Sequence, residues 1–322
     1  MSSDSSPKQT LSFLLRRFKE AGIRPRIDLG QNFLIDMNLQ QVLLETAALG
    51  PDDVVLEVGT GTGGLTALMA RQAAAVVTVE VDRALFDLAS EELFGIPNVV
   101  MIRTDALRNK NTIQPAVLEA VDAQLGMAAT RRFKLVANLP YQIATPILSN
   151  LLMLDRPPVS MTCTIQKEVA ERIVAQPGTK EYGALAVWMQ NQCRVEIVRI
   201  LAPSVFWPKP KVSSAFVEIT LDEQRRGRIP DRAFFHTFVR AMFSHRRKIL
   251  RSQLLGAAGT LSKPDVDRLL GRLGLDPMIR AERLDPDQMF GLAEAVRFEL
   301  SSRGQGANPT VEWNESPGAP EG

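Results

Sequence analysis

An α/β fold, with an open and mostly parallel sheet of the nucleotide-binding kind followed by a small all-α region, is predicted for this 322-residue chain by three observations. Short apolar runs at 54–58, 75–79, 99–102 and 133–137 recur between helical or polar stretches, as strands buried on both faces do. The first run passes directly into Gly59-Thr60-Gly61-Thr62-Gly63-Gly64 and then a helix, the strand–turn–helix order of a dinucleotide-type βαβ unit. Beyond about residue 229 the strands stop and apolar residues keep helical spacing.

The chain opens with an arm, 1–28, in which an amphipathic piece at 11–18 precedes Arg24-Pro25-Arg26. Leu29-Gly30-Gln31-Asn32-Phe33-Leu34 follows, then a helix at 37–49 with Leu39, Val42, Leu43 and Thr46 at helical spacing. Pro51-Asp52-Asp53 turns into the first strand, the glycine turn leads to a helix at 65–71, and the second strand ends at Glu80. The third ends near Thr104-Asp105-Ala106, and a polar, partly helical linker at 108–132 precedes the fourth. Helices are expected at 145–154, 167–175 and 182–192 around a strand at 161–165, and strands at 193–201 and 212–221 form a hairpin across a long loop. Gln224-Arg225-Arg226-Gly227-Arg228 reads as a linker, helices at 234–243, 250–255, 264–273 and 286–300 make a small bundle, and 301–322 reads as a disordered tail. The expected domains are therefore 29–222 and 229–300, flanked by the arm and the tail.

Composition narrows the function classes. No apolar run approaches the roughly 20 residues of a membrane span, and the N-terminus lacks the apolar centre of a signal peptide, so a cytoplasmic protein is expected. Two cysteines and two histidines support neither a disulfide framework nor a zinc set, and no metal is expected. The net charge of +2 hides an uneven distribution: residues 1–30 hold 6 Lys and Arg against 3 Asp and Glu, and residues 193–300 hold 19 against 13, around an acidic middle. Basic flanks point weakly to a polyanionic partner, against the more usual reading of a charge run as a solvated face.

The fourth strand ends in Asn138-Leu139-Pro140-Tyr141, which supplies a carboxamide, a rigid proline without an N–H and an aromatic ring. Although a strand followed by an ordinary proline turn would read the same way, such a slot suits a nucleobase such as adenine. The Asn138 side-chain oxygen and the Leu139 carbonyl accept from its exocyclic amine, and Tyr141 stacks on the ring. Glu80, 21 residues after Gly59, can accept from ribose hydroxyls, and the Asp105 carboxylate can take an adenine amine. Gly59, Gly61 and Gly64 also satisfy the G-x-G-x-x-G rule, which keeps an NAD enzyme in play. Against it, Glu57 would repel a pyrophosphate and suits a cationic sulfonium or amino group, although the residue could equally point to solvent or cap a turn. Gly59, Glu80, Asp105 and Asn138 all end successive strands and so should face one crevice. The loop 203–211 sets Phe206 and Trp207 among prolines beside Lys209 and Lys211, fit either for base stacking and phosphate contact or for pinning the loop. Arg246-Arg247-Lys248 either holds phosphates or forms a solvated helix face.

In this order the motifs resemble those of the bacterial small-subunit (16S) ribosomal RNA adenine N6,N6-dimethyltransferase family. The resemblance runs from about Leu29 to Leu300 and rests on Gly30-Gln31-Asn32-Phe33-Leu34, the Leu56-Glu57-Val58-Gly59 turn, Glu80-Val81-Asp82-Arg83, Asp105-Ala106-Leu107 and Asn138-Leu139-Pro140-Tyr141. Gln166-Lys167-Glu168-Val169-Ala170-Glu171-Arg172, Tyr182-Gly183, Phe206 with Pro208, Pro210, Lys211 and Val212, and Phe243 with Arg246-Arg247-Lys248 extend it. It implies a Rossmann-like methyltransferase sheet with a small C-terminal all-α domain that recognises RNA. It further implies S-adenosylmethionine as cofactor, contacted by Gln31, Asn32, Leu34, Gly59, Gly61, Glu80, Asp105, Ala106 and Asn138. Residues Asn138 to Tyr141 together with Phe206 would frame the target adenine, and Lys209, Lys211, Arg246, Arg247 and Lys248 would contact RNA. The implied activity is dimethylation of two adjacent adenosines near the 3′ end of small-subunit rRNA, by a monomer acting on an assembling subunit. A large-subunit rRNA adenine methyltransferase of the antibiotic-resistance type shares the fold, but Leu139 and the segment 243–248 favour the small-subunit group. A nonenzymatic assembly factor is the rival from another class. The glycine turn lacks the proline that relatives often carry after its first glycine, and the arm and acidic tail look like additions.

Overall fold

A computed structural model of the chain describes residues 11–26 and 29–304; the beginning of the arm and the stretch 305–322, expected as a tail, lie outside the described residues. The described residues form two compact units, one within 11–174 together with 192–223, the other 175–191 with 224–304.

In the first unit, α1 (Leu11–Glu20), the two-residue strand β1 (Phe33–Leu34) and α2 (Met37–Ala47) precede β2 (Asp53–Val58), α3 (Gly64–Ala70), β3 (Ala75–Glu80), α4 (Arg83–Glu92) and β4 (Val99–Arg103). A hairpin of β5 (Leu107–Asn109) and β6 (Thr112–Ile113) then leads through α5 (Pro115–Leu125) to β7 (Arg132–Asn138), α6 (Ala144–Leu151), β8 (Ser160–Gln166) and α7 (Lys167–Val174). The chain passes through α8 (Ala184–Gln190) of the second unit and returns as β9 (Cys193–Leu201), β10 (Phe206–Trp207) and β11 (Ser214–Leu221).

Seven strands make one sheet in the order β4-β3-β2-β7-β8-β11-β9. The first five are parallel, and β11 pairs antiparallel with both β8 and β9. Every residue of β2 and β3 is buried, which is why these strands are mostly apolar, with Asp53, Glu57, Thr78 and Glu80 as buried exceptions. Strand order reverses between β2 and β7, so the carboxyl ends of these two neighbours splay their following loops apart and leave a crevice.

The sequence reading assigns nothing to 83–92 and only a partly helical linker to 108–132, yet α4 and α5 are well-formed helices. Asp82 caps α4 by accepting from the Leu85 N–H, and Val117, Val121 and Leu125 put one buried stripe along α5 after Pro115 opens it. The expected hairpin of β9 and β11 is present. Its long loop is not idle, because β10 turns back to pair with β1, Phe33 opposite Trp207 and Leu34 opposite Phe206.

The second unit contains α8, α10 (Arg232–Met242), α11 (Leu250–Ala258), α12 (Lys263–Arg272) and α13 (Pro286–Ser302), while the short helical turn α9 (Glu223–Gly227) carries the chain into it. Sequence reading placed α8 in the catalytic domain. Instead Trp188 packs on Phe235 and His236, with ring centroids 6.1 and 4.8 Å away, and Asn191 donates to the Pro286 carbonyl at 3.0 Å. The expected linker is also built in: Arg226 is 6% exposed, Arg225 donates to the Gln190 carbonyl, and Arg228 binds Asn191 and Asp287 and lies over the Phe290 ring. Partners distant in sequence, aromatic for α8 and mainly polar for the linker, decide the two assignments. No described helix is long and apolar enough to cross a membrane.

Candidate active site

The carboxyl ends of β2, β3, β4 and β7 open into one cavity. It gathers Gln31 and Asn32 from the segment before β1, Gly59 and Gly61 from the glycine turn, Glu80, Asp105 and Ala106 from the ends of β3 and β4, and the whole of Asn138 to Tyr141. Residues spread over 110 positions of chain meet because parallel strands deliver their following loops to one edge.

Backbone conformation shapes the floor. Gly59 and Gly61 hold φ of 88° and 58°, a region that disfavours side chains. A Cβ at Gly59 would touch Pro140 at 3.4 Å, and one at Gly61 would press on the Phe33 ring at 3.2 Å. The turn therefore lies against Pro140 and the Phe33 ring with only backbone between.

Hydrogen bonds fix the polar groups. Asn138 Nδ2 donates to the Asn32 carbonyl at 2.7 Å, leaving Oδ1 as the acceptor of that carboxamide. The Leu139 N–H is bound to the Thr164 carbonyl at 3.1 Å, which fixes the Asn138–Leu139 peptide, one residue ahead of the Leu139 carbonyl. Tyr141 shares a 2.5 Å hydrogen bond with the Ser214 hydroxyl at the start of β11, and burial raises its pKa. The Glu80 carboxylate takes the Gly61 N–H at 3.0 Å on one oxygen and the Asp82 N–H at 2.9 Å on the other. Burial raises the Glu80 pKa, and those backbone bonds oppose the rise. Asp105 Oδ1 accepts from the Leu107 N–H at 2.9 Å in a local turn. Gln31 Oε1 accepts from the Arg26 N–H, whereas its buried Nε2 has no partner.

Glu57 neither faces solvent nor caps a turn. It is buried beneath the glycine turn, where Oε2 accepts from the hydroxyls of Thr66 at 2.5 Å and Thr78 at 2.6 Å. Desolvation pushes its pKa up to about 8; the two threonine bonds act downward and the nearby Glu80 charge upward. It lines a recess adjoining the main cavity, together with Thr60, Thr62, Gln40 and Leu34.

Two expected site residues lie elsewhere. Leu34, 8% exposed, borders the recess and not the main cavity, and Phe206 lines neither. The expectation that Phe206 frames the target base is corrected by register. Paired with Leu34, its ring is 2% exposed and turned into a core cluster with Leu43, Val136 and Phe216, while the alternate residue Trp207 points the other way. Lys209 and Lys211 are exposed beyond it. In the second unit, Arg246-Arg247-Lys248 occupies the turn between α10 and α11 instead of a helix face. Arg246 is committed there, donating to the Tyr182 carbonyl at 3.0 Å and to Glu282 at 3.3 Å; Arg247 and Lys248 are exposed.

Sequence reasoning missed Ser214, 73 residues from its partner Tyr141, and the wall residues Thr104, Val81 and Ile143. A serine at a strand start carries no spacing signal. Thr104 and Val81 had one, because each adjoins an acid already placed at a strand end.

The profile of the ribosomal RNA adenine dimethylase family matches residues 22–295. The chain belongs to that family. Among the adenine dimethylase relatives, the ribosomal RNA small subunit methyltransferase A of Caldanaerobacter subterraneus subsp. tengcongensis is 40% identical over 270 residues, 83% of this chain and 95% of its own. The protein of the same name from Shouchella clausii is 36% identical over 297 residues, 92% of this chain and 96% of its own. A dimethyladenosine transferase from Plasmodium falciparum shares the fold at a TM-score of 0.69 with 22% identity, over 84% of this chain and 97% of that structure. The 23S rRNA methyltransferase ErmE aligns at 0.56 with 25% identity, over 82% and 99%.

The cofactor of this adenine dimethylase family is S-adenosylmethionine. The cavity fits it on its own chemistry. The orphaned Gln31 Nε2 is a buried donor in need of an acceptor, Glu80 is an acid with both oxygens already oriented, and Asp105 uses only Oδ1 locally. Gly59 and Gly61 keep the floor free of side chains.

Proposed function

We propose that the protein dimethylates N6 of two adjacent adenosines near the 3′ end of small-subunit rRNA, acting as a monomer on assembling subunits in the cytoplasm. The observation that carries this reading is the Asn138 carboxamide, whose Nδ2 is tied to Asn32 so that Oδ1 is presented as an acceptor beside Pro140 and Tyr141.

S-adenosylmethionine supplies an electrophilic methyl on a sulfonium, with a leaving group that departs neutral. Gln31, Asn32, Gly59, Gly61, Glu80, Asp105 and Ala106 would hold it. An adenine amine is a poor nucleophile because its lone pair is delocalised into the ring. Asn138 Oδ1 and the Leu139 carbonyl accept its two N–H bonds, favour a pyramidal nitrogen and retain the departing proton by hydrogen bonding until solvent removes it. Tyr141, held by Ser214, stacks on the base and fixes its plane. Catalysis then consists of orientation and preorganised acceptors.

The test is transfer of labelled methyl groups to purified ribosomal subunits, followed by mapping of the modified bases. Label is expected on two adjacent adenosines near the 3′ end of the small-subunit rRNA; label in large-subunit rRNA would transfer the protein to the other methyltransferase group. Asn138→Ala is expected to lower kcat by about 10²–10³, with the melting temperature preserved. Undiminished transfer by that variant would remove Asn138 from the reaction.

A further inference from the structure

We propose that helix α1 is part of the methyl-donor site, with Leu14 and Phe18 as positioning residues that hold the Phe33 wall against the glycine turn. The inference rests on the reading of the cavity as the S-adenosylmethionine site and extends that site into the arm. Residues 11–20 precede the stretch 22–295 matched by the family profile.

The helix has a buried and an exposed face. Leu14 and Phe18, four residues apart, are 4% and 2% exposed, whereas Leu11 and Leu15 are 36% and 42% exposed. The buried face meets an aromatic cluster. Phe18 lies edge-on to Phe33 at 5.2 Å and to Trp207 at 5.4 Å, and Phe33 and Trp207 stack at 6.4 Å across the β1–β10 pair. Leu85 and Leu88 of α4 close the cluster from the other side. The ion pair of Arg17 with Glu91 at 3.2 Å ties α1 to the same helix.

This cluster is the back of the cavity wall. Phe33 borders both the main cavity and the recess, Leu85 borders the first and Leu14 the second. Phe33 stands so close to Gly61 that no Cβ fits there without displacement, and the Gly61 N–H in turn holds Glu80. A continuous line of contacts thus runs from Phe18 through Phe33 and Gly61 to the acid placed for the ribose. A ten-residue helix has little stability of its own. Its order depends on docking this face, and the Phe33 ring depends on Phe18 for its only described α1 ring contact.

If α1 merely added packing, truncating it would lower the melting temperature and leave cofactor affinity alone. The test is calorimetric titration of the full-length chain with S-adenosylhomocysteine, together with KM for S-adenosylmethionine and for small subunits. The intact chain and Leu15→Ala are expected to bind alike. Phe18→Ala and Leu14→Ala are expected to weaken binding tenfold or more and to raise KM for the methyl donor in proportion, with KM for the subunit unchanged. Phe18→Leu, which keeps most of the apolar volume, should fall between them and supplies the answer if Phe18→Ala fails to fold. Wild-type affinity in the folded Leu14 and Phe18 variants, whatever their melting temperatures, would overturn the proposal. Absence of binding by the intact chain would overturn the cofactor reading itself, and the proposal with it.

Discussion

Glu57 is where burial and charge conflict most sharply among the residues around the glycine turn. In the unfolded chain it ionises near its ordinary 4.5, whereas in the fold it keeps its proton up to about 8. Between those values the native state binds more protons than the unfolded state, so stability falls as pH rises through that window and is unaffected by this group below it. Glu57→Gln stays neutral and can still bond Thr66 and Thr78. Relative to the intact chain it is expected to gain on the order of 4 kcal/mol between pH 4.5 and pH 8, read by urea unfolding at the two pH values. Parallel pH dependence in both proteins would show that Glu57 ionises normally. The same residue was placed by sequence as a partner for a cation, and its position in the recess lining keeps that role open to cofactor titration at varied pH.

At the level of elements, the sheet separates a chemical edge from a structural one. Asp53, the first residue of β2, is completely buried and pairs with Lys134 at 3.0 Å and Arg132 at 2.9 Å on β7. Lys134 Nζ also donates to the carbonyls of Ala47 and Ala48, the last orphan acceptors of α2. One ammonium therefore joins β2, β7 and the end of α2 at the strands' amino ends, opposite the cavity. Lys134→Met leaves Asp53 half-neutralised and those carbonyls bare, and is expected to cost roughly 3–5 kcal/mol of stability. Affinity for S-adenosylhomocysteine at low temperature should be unchanged. A selective loss of cofactor binding without a drop in the urea midpoint would contradict this division of the sheet.

Over the whole molecule, the exposed basic residues are not all available to a partner. Of the basic cluster in the second unit, Arg246 is occupied by Tyr182 and Glu282, so the pair Arg247 and Lys248 is the part free to meet phosphate. Arg247→Ala with Lys248→Ala is expected to weaken binding of small subunits and to reduce the log–log salt slope by about 1 to 2, with cofactor affinity intact; an unaltered slope would exclude this turn from the RNA contacts. Much of this protein was legible from its chain alone, because strand, glycine turn and helix are local patterns, and Gly59, Glu80, Asp105 and Asn138 each mark a strand end by residue type. That Asn138 to Tyr141 line the same cavity was legible for the same reason. What only the tertiary structure decided depends on partners far away in sequence. The pairing of β10 with β1 turns Phe206 inward and gives Trp207 to the arm's cluster. The packing of Trp188 on α10 moves α8 to the second unit, and Thr66 with Thr78 draws Glu57 beneath the turn. For these residues the side chain's surroundings are set by long-range contacts, which periodicity along a single chain does not encode.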